Sequence, residues 1–416
     1  LLFSLGLLGA LVTTRESTFI ADHREQSYGL VPENEFINYH SCLSAYIQAA
    51  RLARDGVENV YAAELWWDQE ATPKALAYKE EYRPFRLDSY AYPTPFLLVP
   101  TLLAQAGNFV AQRGVWFALS GLYVALGLWI VGRWVGGTSG RTALLLIPLV
   151  WVSTPSTLLL HVGNAHGWVV VSAMLALVAF ERRRPALGGL LLAFAIISKI
   201  SPGLLLLVLL VQRRFREVGW TLLGCLLFTL VGIGAFGTGS LLAFVQYEMP
   251  RLASGDALRF LAEDHSVPIN IAPFGMPFKL AALGLPLSDP WAAARTLGTL
   301  YSVVIVVVTA IGAWRGGGRR AQAELWAGVL TLAALRSPLA PVYAMLSLVW
   351  LFTLHAVDLK GLRSQLGLAL LWIFVIVGAF DMSRPLLLVS LAQQIVVYAA
   401  TLYFILRKAP ADEGEA

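Results

Sequence analysis

Long apolar runs recur along almost the whole chain, at 1–13, 114–132, 142–160, 167–180, 186–198, 202–211, 218–237, 296–314, 323–335, 340–356, 364–380 and 386–406. A run that is apolar on every side has no face to offer water, and about 20 such residues in a helix cross the hydrocarbon of a bilayer. Backbone polar groups in lipid must pair within their own segment, which leaves α-helices as the form for these runs. Only 14% of the 416 residues are charged, whereas a soluble chain carries about a quarter. The sequence therefore predicts an all-α, polytopic membrane protein of about twelve transmembrane helices, a single membrane domain over residues 1–416. The short run Leu1–Thr13 reads as the remainder of a first span whose start precedes the numbering.

Arg and Lys set the orientation. They cluster at Arg133 and Arg141, Arg182–Arg184, Arg213–Arg216, Arg315–Arg320, Lys360 and Arg363, and Arg407–Lys408, all on one side if the spans alternate. The opposite short loops carry only Lys199, Arg336 and Arg384. The positive-inside rule puts the clusters, and both termini, in the cytosol. Two long segments, 14–113 and 238–295, then face outward from the plasma (inner) membrane. In the first, Glu35–Arg54 shows apolar residues at helical spacing and reads as an amphipathic helix lying on the membrane. Residues 94–106 are too short an apolar stretch to cross and read as a second interfacial helix. Only the tail after Pro410 reads as disordered.

The polar residues of the outer side are not explained by topology. They are Asp22, Glu33, Glu35, Asn38, Tyr39, His40, Asp88, Tyr90, Tyr92, Asn164, His166, Lys199, His265, Asn270 and Arg336, and five of the six histidines belong to this side. Each has a plain alternative. Lys199 and Arg336, each before a Ser-Pro or Ile-Ser-Pro break, either snorkel to the interface or hold an anion such as a lipid phosphate. Glu35 either supplies a first-turn charge or acts chemically. Asn164 and His166 are a polar loop or a site, Tyr92-Pro93 a turn or a site, and His265 and Asn270 loop or site residues. No basic run resembles a nucleic-acid arm, and no CxxC, Cys/His metal spacing or Gly-rich phosphate loop is present, so neither metal nor cofactor is expected. Cys42 and Cys225 are not expected to pair, because Cys225 sits inside an apolar run.

Five pieces in order carry a resemblance: Glu35-Phe36-Ile37-Asn38-Tyr39, Tyr90-Ala91-Tyr92-Pro93, Gly163-Asn164, Lys199-Ile200-Ser201-Pro202 and Arg213-Arg214. Together they resemble glycosyltransferase family 87, within the C-type superfamily of membrane glycosyltransferases, over roughly residues 1–340. The resemblance implies the C-type fold and transfer, with inversion, of a hexose, usually mannose, from a polyprenyl phosphate to a lipid or glycan acceptor on the outer membrane face. On it, Glu35 stands at the acidic position, occupied there by Asp, and is the expected general base, with Asp22 and Asp88 as alternatives. Lys199 and Arg336 are the expected contacts of the donor phosphate. Asn38, Tyr39, Asp88, Tyr92, Asn164, His166, His265 and Asn270 are the expected substrate contacts. A transporter or flippase of lipid-linked sugars, or a non-catalytic subunit of an envelope assembly, are the alternatives. A transporter tends to show internal repeats and polar residues at mid-membrane, and neither is evident here.

Overall fold

A computed structural model describes residues 2–31, 34–66, 79–378 and 381–407, and among the described residues the protein is all-α. Four helices are long and apolar enough to cross a membrane: Phe109–Val135, Phe215–Ser254, Pro290–Arg315 and Arg384–Leu406. Along Phe215–Ser254 the side chains of Leu222, Leu223, Leu226, Leu227, Leu230 and Val231 are each about half exposed. An unbroken aliphatic face of this kind is covered by lipid. A bent pair, Thr154–Val162 and His166–Glu181, turns by 118° at its break. Shorter apolar helices include Pro185–Ser198, Ser201–Val211 and Val342–Asp358. Val342–Asp358 runs through the buried centre, whereas Pro185–Ser198 and Ser201–Val211 leave Leu187, Leu190 and Leu210 exposed on one side. Trp326 and Trp350 are the largest side chains in that buried centre.

Small residues let the helices approach. A Cβ at Gly189 would lie 2.6 Å from the Trp220 backbone, and one at Gly224 would lie 2.7 Å from the Ala193 Cβ. These glycines therefore set the contact between Pro185–Ser198 and Phe215–Ala243.

The basic clusters gather at one end of the bundle. Arg214 donates to Glu181 (2.6 Å), and Gln212 donates to Gln322 (3.1 Å). Arg407 donates to Glu324 (2.7 Å), while Arg320 donates to Glu324 (2.9 Å) and to Asp358 (2.7 Å). Lys199 and Arg336 sit at the other ends of the same helices, since Pro185–Ser198 runs from Arg184 to Lys199 and Arg319–Ala334 runs from Arg320 towards Arg336.

Several boundaries differ from those read in the sequence. The run at 142–160 is divided among Gly137–Leu145, Ile147–Val152 and Thr154–Val162, because Pro148 and Pro155 each open a new helix at its first turn. The first helix continues past Thr13 to Ala21. The long helix from Phe215 is kinked at Gly237 (φ 76°, ψ 173°), and the residues that follow continue as helix to Ser254. The segment Glu35–Arg54 is two helices, Glu35–Asn38 and Cys42–Arg54, parted at Tyr39–Ser41. The second does not lie on a surface: both its apolar residues and its polar Ser44 and Gln48 are buried. The segment after residue 79 covers it, with Tyr82 donating to Gln48 (3.0 Å) and Ser44 donating to the Arg86 carbonyl (2.9 Å). The helix Thr94–Leu103 is short, in keeping with the sequence reading. Glu33 and the tail after Pro410 lie outside the described residues.

Candidate active site

A cavity of about 720 Å³ opens among the loops at the end of the bundle away from the basic clusters. Asn164 is its hub. Gly163 ends the helix Thr154–Val162 in the left-handed region (φ 67°, ψ 32°). That conformation suits glycine, and an added Cβ would meet Leu43 Cβ at 3.2 Å. The chain can then reverse, and Asn164 Oδ1 accepts from the His166 backbone N–H (2.9 Å) to start the next helix. Its amide nitrogen points the other way, donating to Tyr343 Oη (3.1 Å), Tyr92 Oη (3.2 Å) and Cys42 Sγ (3.3 Å). Two amide hydrogens shared among three acceptors tie three separate segments to one point.

Tyr92 is fixed from several sides. Tyr46 donates to its hydroxyl (2.9 Å), and Tyr61 donates to its carbonyl (2.9 Å). Thr94 donates to the Ser240 carbonyl (2.9 Å), joining this turn to the long helix behind it.

Lys199 follows the helix Pro185–Ser198 in extended conformation (φ −158°, ψ 118°). It lines the cavity, and its ammonium lies 5.8 Å from the centre of the Tyr92 ring. Among the described residues no carboxylate forms an ion pair with it.

Asp88 faces the same cavity. Its backbone N–H donates to Ser44 Oγ (3.2 Å), and its Oδ2 lies 3.3 Å from His40 Nε2. Burial raises its pKa above the ordinary carboxylate value, against the opposing pull of His40 and Arg86. Cys42, at the start of its helix, has its thiol pushed up to about 12, again mainly by burial. The far wall is formed by the segments around His265 and Ser337–Tyr343, and His265 packs against Phe36 with ring centres 4.4 Å apart.

Of the residues expected to touch substrate or donor, the cavity brings together Asp88, Tyr92, Asn164, Lys199 and His265. The others lie elsewhere. Glu35 is exposed and is not among the lining residues. Its helix lasts a single turn, which aims the next residue, Phe36, and not Glu35 at the cavity. Asn38 is fully buried against Gly29. Tyr39 Oη accepts from Gln26 (2.9 Å) outside the cavity. His166 is buried behind Asn164, its ring 6.3 Å from that of Tyr343. Arg336 turns away and donates to Ser302 on the helix Pro290–Arg315. Asp22 is partly exposed and paired with Arg24 (2.7 Å).

Asn270 is a structural clip. It donates to the Pro338 carbonyl (2.8 Å) and accepts from the N–H groups of Ala272 (3.0 Å) and Ala340 (3.1 Å), so it holds the two segments of the far wall together. Buried Lys279 donates to the Asn270 carbonyl (2.5 Å) from behind.

Cys42 and Tyr343 were not singled out by sequence reasoning. Tyr343 stands two residues past Pro341, at the outer start of an apolar run, and Tyr92 stands directly before Pro93 at the start of another.

A sequence model of glycosyltransferase family 87 matches residues 90–341. The chain belongs to glycosyltransferase family 87. It is a membrane glycosyltransferase, and it has a sugar donor and an acceptor. The family 87 match takes in Tyr92, Asn164 and Lys199, and begins just after Asp88. No curated protein and no solved structure matched the chain.

Proposed function

We propose that this family 87 enzyme transfers a hexose, mannose first among the candidates, from a polyprenyl phosphate to a lipid or glycan acceptor with inversion at the anomeric carbon. The observation that carries the reading is the presence of Asp88 and Lys199 on one cavity, which Tyr92 and Asn164 also line. Asp88 takes the proton of the acceptor hydroxyl as its oxygen bonds to the anomeric carbon. The bond from that carbon to the donor phosphate oxygen breaks, and Lys199 meets the charge that develops on the departing polyprenyl phosphate. Asp88, rather than Glu35, is assigned the base because Asp88 lines the cavity and Glu35 does not; Glu263, which also lines it, faces His265 on the far wall (3.5 Å). The donor carries its own activation and needs no nucleotide loop. About twelve spans, an extracytoplasmic cavity, both termini in the cytosol and a place in the plasma membrane complete the proposal, since the basic clusters sit at the end opposite the cavity.

The test uses purified protein in lipid nanodiscs with a panel of polyprenyl-phosphate sugars, following release of free polyprenyl phosphate and gain of sugar by the acceptor. Asp88→Asn keeps the side chain's size and removes its basicity. It should lower transfer by roughly two to four orders of magnitude, the usual worth of a general base. A near-normal Asp88→Asn enzyme together with a dead Glu35→Gln enzyme would return the base to Glu35.

A further inference from the structure

His40, Cys42 and Asp88 each present one ligand atom at the cavity, and the three atoms lie within 4.8 Å of one another. Their separations are specific: Nε2 of His40 is 3.8 Å from Cys42 Sγ and 3.3 Å from Asp88 Oδ2. Tetrahedral zinc, with bonds of about 2.3 Å to sulfur and 2.0–2.1 Å to nitrogen and oxygen, spaces its ligands about 3.6 Å (N to S) and about 3.3 Å (N to O) apart. The two observed spacings fall within about 0.2 Å of those values. A thiolate, an imidazole and a carboxylate form a mixed set suited to zinc and its neighbours rather than to magnesium or calcium.

The supporting contacts fit as well. The Asn164 amide donates to the sulfur (3.3 Å), Phe36 stacks on the His40 ring with centres 5.6 Å apart, and Ser44 accepts from the Asp88 backbone N–H (3.2 Å). Such outer contacts orient metal ligands. A nucleophilic Cys-His-Asp triad is a poorer reading, because it needs the two partners on different imidazole nitrogens, and here both face Nε2.

We propose that His40, Cys42 and Asp88 form a binding site for one zinc-class divalent transition-metal ion, with its fourth position open to the cavity. Where Asp88 is the base, as proposed above, the bound ion takes up the oxygen that would accept the proton, and the metal is an inhibitor of transfer.

Cobalt(II) reports on such a site through an intense thiolate-to-metal absorption and tetrahedral visible bands. The experiment adds Co2+ to full-length protein stripped with a chelator, in wild type and in Cys225→Ser, in which Cys42 is the sole remaining cysteine. One Co2+ per chain, a thiolate band in both proteins, and loss of that band when Zn2+ is added are expected. His40→Gln should weaken both the band and the affinity. Absence of a thiolate band in Cys225→Ser overturns the site, as does a band that His40→Gln leaves untouched. Transfer is measured on the same samples. Zn2+ at the concentration that displaces Co2+ should lower it more than about tenfold, since a metal-bound carboxylate oxygen no longer accepts the proton. A filled site with unchanged transfer upholds the site and overturns Asp88 as base.

Discussion

Replacing Lys199 with Met isolates the charge of a cation that lines the cavity with its ammonium 5.8 Å from the centre of the Tyr92 ring. Met keeps most of the length and apolar stem of Lys and removes the ammonium. No carboxylate among the described residues pairs with Lys199, so the change leaves no orphaned acid behind. The fold has little to lose, and relief from burying an ammonium favours Met. The loss falls on the donor. An ammonium about 4 Å from a phosphate charge, at the effective dielectric of about 20 that suits protein sites, contributes about 4 kcal/mol. That is about a thousandfold in kcat/KM for the polyprenyl-phosphate sugar, and screening by water at the cavity mouth reduces it towards a hundredfold. Initial rates over a range of donor in nanodiscs read this directly, with a thermal-shift measurement alongside. Lys199→Met should melt at or above the wild-type temperature while donor use falls a hundredfold or more. A variant that turns over donor within a few-fold of wild type would mean that Lys199 only reaches for lipid headgroups and that the phosphate is held elsewhere.

Burial raises the Asp88 pKa, so the acid limb of the pH–rate profile should lie above the ordinary carboxylate range, and it should vanish from the residual rate of Asp88→Asn. Because the folded state disfavours the charged form of Asp88, Asp88→Asn should melt no lower than wild type at neutral pH. Burial pushes the Lys279 ammonium from 10.5 down to about 7. The unfolded chain therefore binds more protons between these values, and thermal stability should rise as pH increases from about 7 towards 10, an increase absent in Lys279→Met. Asn270→Ala removes the clip between the two segments of the far wall and leaves buried N–H and C=O groups unpaired, at about 1–3 kcal/mol each. Its melting temperature should drop, with loss of kcat exceeding any change in donor KM. A cysteine placed at Arg183 in a cysteine-free background should label only from the cytosolic side, and labelling from outside would invert the proposed orientation.

The sequence by itself determined the solvent and the secondary structure. Aliphatic runs with few charges leave helices in lipid as the outcome, and the spacing of Arg clusters against Lys199 and Arg336 already separated the two ends of the bundle. Asn164 and Lys199 were legible because each interrupts an apolar run with a polar group that needs a reason. Proline carried local information too, but its effect on 142–160 was underread, since an apolar run looks continuous where Pro148 and Pro155 divide it. The burial of Cys42–Arg54 could not be read, because helical periodicity reports a polar face and not what covers it. Here Tyr82 donates to the Gln48 amide oxygen and the Arg86 carbonyl accepts from Ser44, both from a segment some forty residues away. The same limit explains Glu35, Arg336 and Asn270. Their residue types suited a site, and only packing decided that Glu35 faces outward, Arg336 turns to Ser302 and Asn270 clips two backbones. Conversely, Asp88, His40 and Cys42 converge because Ser44 holds the backbone of one against the helix of another. That proximity is a property of the tertiary contact, which no spacing along the chain encodes.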